Sequence, residues 1–223
     1  RLPLPDQLNA AVSRINASGR ISGAAVSWGG AADHQYAVTL GFERLSMRRV
    51  ERRGEPPGRW PAVTNLSGVA EFNDRGGEVR LESPGAVLRL PGVLAEPSVA
   101  LSTLSGTLGW RIEPRDGAGS PAIVEVRSAG LNVSNADLAG SLGGRWRSSG
   151  SSALGEIDLA ASFTRINASR VAAYLPLAID PGVRGWVARA VGSAGRTEAE
   201  LRIRGDLADF PFRDPTRGEF RVQ

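Results

Sequence analysis

Apolar and polar residues alternate along much of the chain with a period of two. The clearest case is the segment 154–163, where one set of alternate positions is apolar and the other is almost entirely polar. The apolar set is Ile157, Leu159, Ala161 and Phe163, and the other set is Glu156, Asp158, Ala160 and Ser162. Successive side chains of a strand point to opposite faces, so this pattern predicts a mainly β fold with one apolar and one wet sheet face.

The same period predicts a series of strands separated by turn residues. Strands at 21–28 and 35–42 would form a hairpin around Gly29–Asp33, and 66–72 would pair with 77–83 through an Asn-Asp-Arg-Gly turn. Further strands are predicted at 86–90, 99–113, 122–133, 137–148, 154–163 and 197–207. In the long strand 99–113, one face would carry Leu104, Leu108, Trp110 and Ile112.

Three segments show a helical pattern instead. Residues 6–17 predict a helix that ends at Gly19, and 169–174 predict a helical turn capped by Asn167 or Ser169. The segment 180–191 predicts a short helix with Asp180 at the N-cap and Pro181 after it. Its apolar stripe would be Val183, Trp186, Val187 and Ala190.

Other segments predict irregular structure or repetition. Residues 43–61 are charged and rich in turn formers, which indicates a linker or, preferably, a long solvated loop. The glycine-rich stretch 140–144 predicts a β-turn and matches no phosphate-binding fingerprint. The sequence Arg-Ile-Asn-Ala-Ser occurs at 14–18 and again at 165–169, closing one predicted helix and opening another, which is compatible with a quasi-repetitive chain.

Composition narrows the class of protein. The 223 residues include 28 Gly and 14 Pro, yet 41% are hydrophobic, which favours many short strands over disorder. There is no Cys, so disulfides and thiolate metal sites are excluded. The net charge of +4 comes from Arg alone among the basic residues and does not demand a nucleic-acid partner. No apolar run reaches the roughly 20 residues of a membrane span, and both ends look cut from a longer protein.

Candidate catalytic chemistry is sparse. The single histidine, His34, has no nucleophile or orienting partner nearby in the sequence. No Asp/Glu cluster has metal-ligand spacing, and the five tryptophans are too scattered to form a base-stacking surface. The sequence therefore predicts no enzyme, no cofactor, no metal and no nucleic-acid partner.

The last third of the chain carries three motifs in a specific order. They are Val171-Ala-Ala-Tyr-Leu-Pro-Leu, then Val183-Arg-Gly-Trp-Val-Ala-Arg-Ala, then Ala199-Glu-Leu-Arg-Ile-Arg-Gly-Asp-Leu-Ala-Asp-Phe-Pro-Phe. In this order they resemble the YhdP family of AsmA-like envelope proteins. Trp60-Pro61 and Leu66-Ser-Gly resemble the family more loosely, so the likeness covers about residues 60–220, while the first 60 match only in general style.

The resemblance implies a long, twisted antiparallel sheet folded into a half-open trough, in a periplasmic protein anchored in the inner membrane by parts absent from this chain. Its expected ligands are phospholipid acyl chains, with envelope proteins as possible further partners. It implies no catalytic residues. The division expected is 1–60 (helix, first strands, charged loop), 61–165 (repetitive strands) and 166–223 (short helices, then a long strand), within one continuous architecture.

The apolar faces leave two functions open. From alternation alone a closed β-sandwich core is the expected explanation, whereas the resemblance favours an open, lipid-facing groove. The candidate groove residues are Leu104, Leu108, Trp110, Ile112, Ile157, Leu159 and Phe163. The alternative function is a structural or protein-interaction spacer of the cell envelope without lipid contact.

Overall fold

The chain folds mainly into one antiparallel sheet. A computed structural model describes residues 15–29, 36–49, 61–114, 122–149, 152, 154–192 and 196–223. The strands are β1 (Ile15–Trp28), β2 (Tyr36–Arg49), β3 (Ala62–Asn73), β4 (Gly76–Glu82), β5 (Val87–Arg89), β6 (Ser98–Ala100), β7 (Thr103–Glu113), β8 (Ile123–Ser134), β9 (Leu138–Arg147), β10 (Glu156–Asn167), β11 (Arg196–Asp206) and β12 (Gly218–Val222).

Ten of these strands lie side by side in the order β1-β2-β3-β4-β7-β8-β9-β10-β11-β12. The short strands β5 and β6 leave this path, because β5 pairs with the start of β3 and β6 pairs with β5. Strands β1 and β12 lie at the two ends of the order and do not pair with each other. The sheet is therefore twisted and open, as the resemblance implies.

Neighbours in this order are consecutive main strands of the chain, with β5 and β6 inserted between β4 and β7. The β3–β4 turn is tight, and the Arg75 backbone N–H donates to the Asn73 Oδ1 at 2.8 Å, which is typical of an Asx turn. The predicted pairing of 66–72 with 77–83 is confirmed, as is the β1–β2 hairpin, although its strands are longer than predicted.

Bulges interrupt the register of most neighbouring strand pairs. In β8 the extra residues fall between Arg127 and Gly130, opposite Thr107–Gly109 of β7. The Ser128 hydroxyl stabilises this bulge because it donates to the Thr107 carbonyl at 2.6 Å and accepts from the Gly130 N–H at 3.2 Å. Bulges bend strands and increase their local twist, so they curve a sheet of this width.

The best-buried residues cluster toward one end of strands β2 to β8. Leu81, Leu104 and Val133 are buried there, together with Ala86 and Leu101 from the segments beside β5 and β6. Ser83 is buried with them, and its hydroxyl both accepts from the Ser67 N–H and donates to the Ser67 carbonyl at 2.9 Å. We call this the capped end of the sheet, because residues of β5, β6 and their flanking segments pack against the buried cluster there.

Two predicted helices are confirmed. A 3₁₀ helix spans Ala168–Tyr174, and the Asn167 side chain caps it by accepting from the Ser169 N–H. Helix α1 spans Pro181–Gly192, and Asp180 Oδ1 accepts from the Gly182 N–H at 2.7 Å. In its predicted apolar stripe Val183 is exposed, and the side chains of the other three residues lie outside the described set.

Four local predictions are wrong. Residues 15–17 begin β1 instead of ending a helix, and 43–49 continue β2 instead of forming a loop. The single strand predicted at 99–113 breaks at Leu101–Ser102 into β6 and β7. Residues 140–144 lie inside β9 instead of a turn, because their glycines let β9 approach β10 closely. His34, residues 6–14 and residues 50–60 lie outside the described set.

The two copies of Arg-Ile-Asn-Ala-Ser adopt different structures. The described part of the first copy, residues 15–18, lies in β1 and pairs with the end of β2. The second copy ends β10 and begins the 3₁₀ helix. The identical pentapeptides therefore do not mark a structural repeat.

Candidate functional site

One face of the sheet is apolar from edge to edge. Residues directly opposite each other in antiparallel strands project to the same side, so the register defines rows of side chains across the sheet. One row runs through ten strands without a polar side chain: Ile21, Phe42, Gly68, Leu81, Gly106, Leu131, Leu142, Ala161, Leu201 and Val222. We call it the inner row.

A second row on the same face is also free of polar side chains, and it lies four residues after the inner row in β7 and β9. It consists of Val26, Val38, Phe72, Gly77, Trp110, Val126, Trp146, Ile157, Gly205 and Gly218. We call it the outer row, and the end of the sheet beyond it the tryptophan end. Leu40, Val79, Leu108, Leu159 and Ile203 lie between the two rows.

All seven candidate groove residues lie on this apolar face. Leu104, Leu108, Trp110 and Ile112 alternate along β7, which pairs with β4 without a register shift. Ile157, Leu159 and Phe163 alternate along β10, where β9 and β10 pair regularly over this stretch. The structure thus joins two groups of residues that sequence periodicity could place only strand by strand.

Burial on this face differs between the two ends. Leu104 is only 6% exposed and belongs to the covered core, whereas the other six candidates are half-buried. Along the outer row, Phe72, Trp110, Val126, Trp146 and Ile157 are all half-buried. The residues of a closed sandwich core would be buried throughout, so the apolar face is sealed at the capped end and partly open beyond it.

The sequence prediction named groove residues in β7 and β10 only, although the other main strands also contribute to this face. In β8 the bulge shifts the alternation, so Val124 and Val126 share a face with Leu131 and Val133 although their numbers differ in parity. In β9, Leu138, Leu142 and Trp146 alternate with glycines 140 and 144 on the same face, which hid the period of two. The strand itself was predicted at 137–148, and the apolar residues Leu138, Leu142 and Trp146 were the available signal for its apolar face.

The opposite face is charged. Along one row Glu125, Arg147 and Glu156 lie opposite one another, and along the next Arg145, Asp158 and Arg204 do. Ion pairs join Glu113 to Arg147 at 3.0 Å, and Asp158 to Arg202. Two surface depressions, of about 580 and 480 Å³, lie mainly on this face. The larger depression is lined by acidic and basic side chains together, so its charge would not select an anion or a cation. These side chains include Glu71, Glu78, Arg80, Arg111 and Arg127.

An aromatic cluster covers the apolar face beside the last two strands. Phe210 contacts Phe212 and Phe220, with ring centroids 5.6 and 5.3 Å apart. The Phe212 ring lies over Gly205 and Gly218, where a Cβ atom at either glycine would collide with it. The Asp206 carboxylate caps a short 3₁₀ helix, Leu207–Asp209, and hydrogen bonds from Ser152 and the Ala208 N–H hold its pKa below the ordinary value. The motif Gly-Asp-Leu-Ala-Asp-Phe-Pro-Phe therefore forms a built cover at one corner of the face.

Nothing in the described residues forms a metal site or a membrane-spanning helix. No group of three or more His, Asp or Glu side chains among them is placed to hold a metal ion. No helix in the same part of the chain has the length and hydropathy needed to cross a bilayer. The broad apolar face is therefore the feature of the described structure that calls for a functional explanation.

Comparison with known families decides the assignment. The model of the family described as YhdP protein matches residues 1–223, the full length of this chain. The chain belongs to the YhdP family. The match extends to the first 60 residues, where the sequence motifs gave only a general likeness. Neither a comparison with curated proteins nor one with solved structures found a match.

Membership of the YhdP family indicates an envelope protein of the AsmA-like group. The YhdP family is not a known enzyme family. In this family member, the three motifs of the last third occupy distinct places: the 3₁₀ helix and its exit, helix α1, and β11 with the aromatic cover.

Proposed function

We propose that this chain is part of the periplasmic region of an inner-membrane-anchored envelope protein that conducts phospholipid between the inner and outer membranes. The acyl chains would lie against the apolar face, with the sheet acting as a half-open trough. The role is non-catalytic. The observation that carries the proposal is the continuity of the inner and outer rows across all ten strands of the main path.

The energetics favour a continuous apolar surface for this task. Exposing an acyl chain to water costs about 0.8 kcal/mol for each CH₂ group, which is on the order of 13 kcal/mol for a chain of about 16 carbons. A half-buried apolar face removes most of that cost while the polar head stays in water. Because neighbouring strands are about 4.8 Å apart, a lipid moving across the sheet would meet a new strand of similar character at each such step.

Uniform affinity along the path also suits transport. A site with specific polar contacts would hold one lipid and stop the flow. The inner and outer rows contain aliphatic, aromatic and glycine residues only, so they offer burial without hydrogen-bonding groups that would fix one position, apart from the indole N–H groups of Trp110 and Trp146.

A matched pair of variants tests the proposal. Leu159 is half-buried on the apolar face, and its neighbour Ala160 is exposed on the charged face. We expect Leu159→Asp to lower the amount of phospholipid bound, measured by mass spectrometry after loading from vesicles, and to slow transfer of a fluorescent phospholipid between vesicles. We expect Ala160→Asp to leave both unchanged, because its carboxylate would point into water.

Circular dichroism and thermal unfolding of both variants establish that each remains folded. Equal lipid binding and transfer by two folded variants would exclude lipid conduction by this face. The spacer function would then be the better explanation of the chain.

A further inference from the structure

The two ends of the apolar face differ in chemistry as well as in burial. At the capped end, Leu81, Leu104 and Val133 are buried and pack with Ala86 and Leu101. These side chains are aliphatic and offer no polar group to a ligand. The capped end therefore suits the methyl end of a hydrocarbon chain.

The tryptophan end combines apolar and polar groups. The Trp146 indole N–H donates to the Leu154 carbonyl at 2.9 Å while its ring lies in the outer row. Trp110 lies in the same row, 6.2 Å from the Phe72 ring. The Glu113–Arg147 ion pair near the ends of β7 and β9 lies on the opposite, charged face, so the indole groups are the polar contribution to the apolar face here. Indole rings with one apolar and one polar side favour the boundary between hydrocarbon and headgroups.

The spacing between the ends fits one layer of lipid tails. Leu104 and Trp110 are six residues apart on β7, which corresponds to about 20 Å at 3.3 Å per residue. The hydrocarbon part of one bilayer leaflet is about 15 Å thick, half of the full core. A phospholipid lying along the strands would therefore place its tails on the half-buried face and its headgroup beyond the outer row.

We propose that phospholipid binds with its acyl chains parallel to the strands, with the chain termini toward the capped end and the phosphate headgroup at the tryptophan end. This orientation rests on the proposed function. Lipids held in this way move broadside from strand to strand, so Trp110 and Trp146 mark the line along which headgroups travel.

Two probe positions on β9 test the orientation. The first variant keeps Trp146 alone and replaces the other four tryptophans with Phe. The second variant adds Leu142→Trp and Trp146→Phe, which moves the probe by four residues, about 13 Å, toward the capped end. Both probes lie on the apolar face, in the outer and inner rows.

Each variant is loaded with phosphatidylglycerol brominated either near the glycerol backbone or near the chain terminus, since bromine quenches tryptophan fluorescence at short range. We expect the probe at 146 to be quenched more by bromine near the glycerol, and the probe at 142 more by terminal bromine. The ratio of quenching by bromine near the glycerol to quenching by terminal bromine should thus be above one for the probe at 146 and below one for the probe at 142. Circular dichroism checks that both remain folded.

Bound lipid phosphate is measured in the same samples, so the two proposals fail differently. If lipid binds but the same bromine position quenches both probes more strongly, the orientation is overturned and conduction remains intact. The same conclusion follows if terminal bromine quenches the probe at 146 more and bromine near the glycerol quenches the probe at 142 more. Absence of bound lipid in the unsubstituted protein overturns both.

Discussion

Glycine occupies positions in β9 where the backbone of β10 leaves no room for a side chain. A Cβ atom at Gly144 would collide with the Asp158 carbonyl oxygen and lie 2.8 Å from the Leu159 Cα, and Gly144 also has a φ of +155°. A Cβ atom at Gly130, in β8, would meet no atom within 4 Å, and the φ of Gly130 lies outside the left-handed region. The two glycines thus form a matched pair in adjacent strands.

We expect Gly144→Ala to lower the free energy of unfolding by about 2 kcal/mol, because the strands must separate to admit the methyl group. Gly130→Ala should change it by less than about 0.5 kcal/mol. Urea unfolding followed by circular dichroism measures both. Equal effects of the two substitutions would show that β9 and β10 are not packed as closely as the structure has them.

The two tyrosines respond to alkaline pH in a predictable direction. Burial raises the pKa of Tyr36 above its ordinary value of 10.0, and the charge of Asp74 adds to the shift. Burial likewise raises the pKa of Tyr174; the hydrogen bond from Asn135 opposes this shift, and that with Asp137 adds to it. The folded state therefore binds these phenolic protons more tightly than the unfolded state, so stability is lost as pH rises above 10.0.

The composition of the chain allows the two tyrosines to be titrated with little interference from other groups. It contains 2 Tyr, no Cys and no Lys, so few other groups titrate near pH 10. We expect tyrosinate absorbance to develop above the ordinary pKa in the folded protein and at the ordinary pKa in urea. Tyr36→Phe with Tyr174→Phe should flatten the fall in stability in this range. A folded-state midpoint at or below the ordinary value would contradict the described burial of both rings.

At the scale of elements, hydrogen bonds and ion pairs connect the segment after β10 to the β8–β9 turn and to the loop between β5 and β6. The Asp137 carboxylate accepts from the Tyr174 hydroxyl at 2.9 Å and from the Arg170 Nε at 3.4 Å. Arg170 also forms a bidentate pair with Glu96 at 3.1 and 2.7 Å, and the Leu177 N–H donates to the Val93 carbonyl at 2.8 Å. These contacts connect the end of β10 to the loop between β5 and β6.

Removal of the central carboxylate should weaken this connection most. We expect Asp137→Ala to lower the free energy of unfolding by about 1–2 kcal/mol, because the partly buried Tyr174 hydroxyl loses its acceptor. Glu96→Ala should cost less, since the Arg170–Glu96 pair is exposed to solvent. Denaturant titration ranks the two, and a larger loss from Glu96→Ala would show that the ion pair dominates.

Local sequence signals predicted most elements but not where tertiary contacts override them. The caps at Asn167 and Asp180 and the β3–β4 turn depend on residues close in sequence, and these predictions are confirmed. The strand at 15–18 forms because it pairs with 46–49, some thirty residues away in the chain, and no local pattern reports such a ladder. For the same reason the glycines of β9 predicted a turn, although β10 holds them in a strand.

At the scale of the whole molecule, alternation predicted which residues share a face within β7 and β10, but not how strands align. Register places Trp146 beside Val126 and Ile157, and the bulge in β8 decides which of its residues join them. A continuous apolar face across ten strands is thus a property of pairing between strands. The resemblance to the YhdP family supplied the expectation of an open sheet that periodicity alone did not favour.

Strand β1 is a long edge strand of the described sheet. Nearly all of its described side chains are exposed, and Ile21 is 60% exposed at the end of the inner row. An exposed strand of this length is a template for pairing with another strand, and a lysine on such an edge opposes this pairing.

We expect Ile21→Lys to reduce concentration-dependent self-association in sedimentation velocity. Val183→Lys, at a 50% exposed apolar position on α1, should leave it unchanged. An equal decrease in self-association for both variants would show that any exposed apolar residue contributes to it. A decrease for Ile21→Lys alone identifies the β1 edge as the contact.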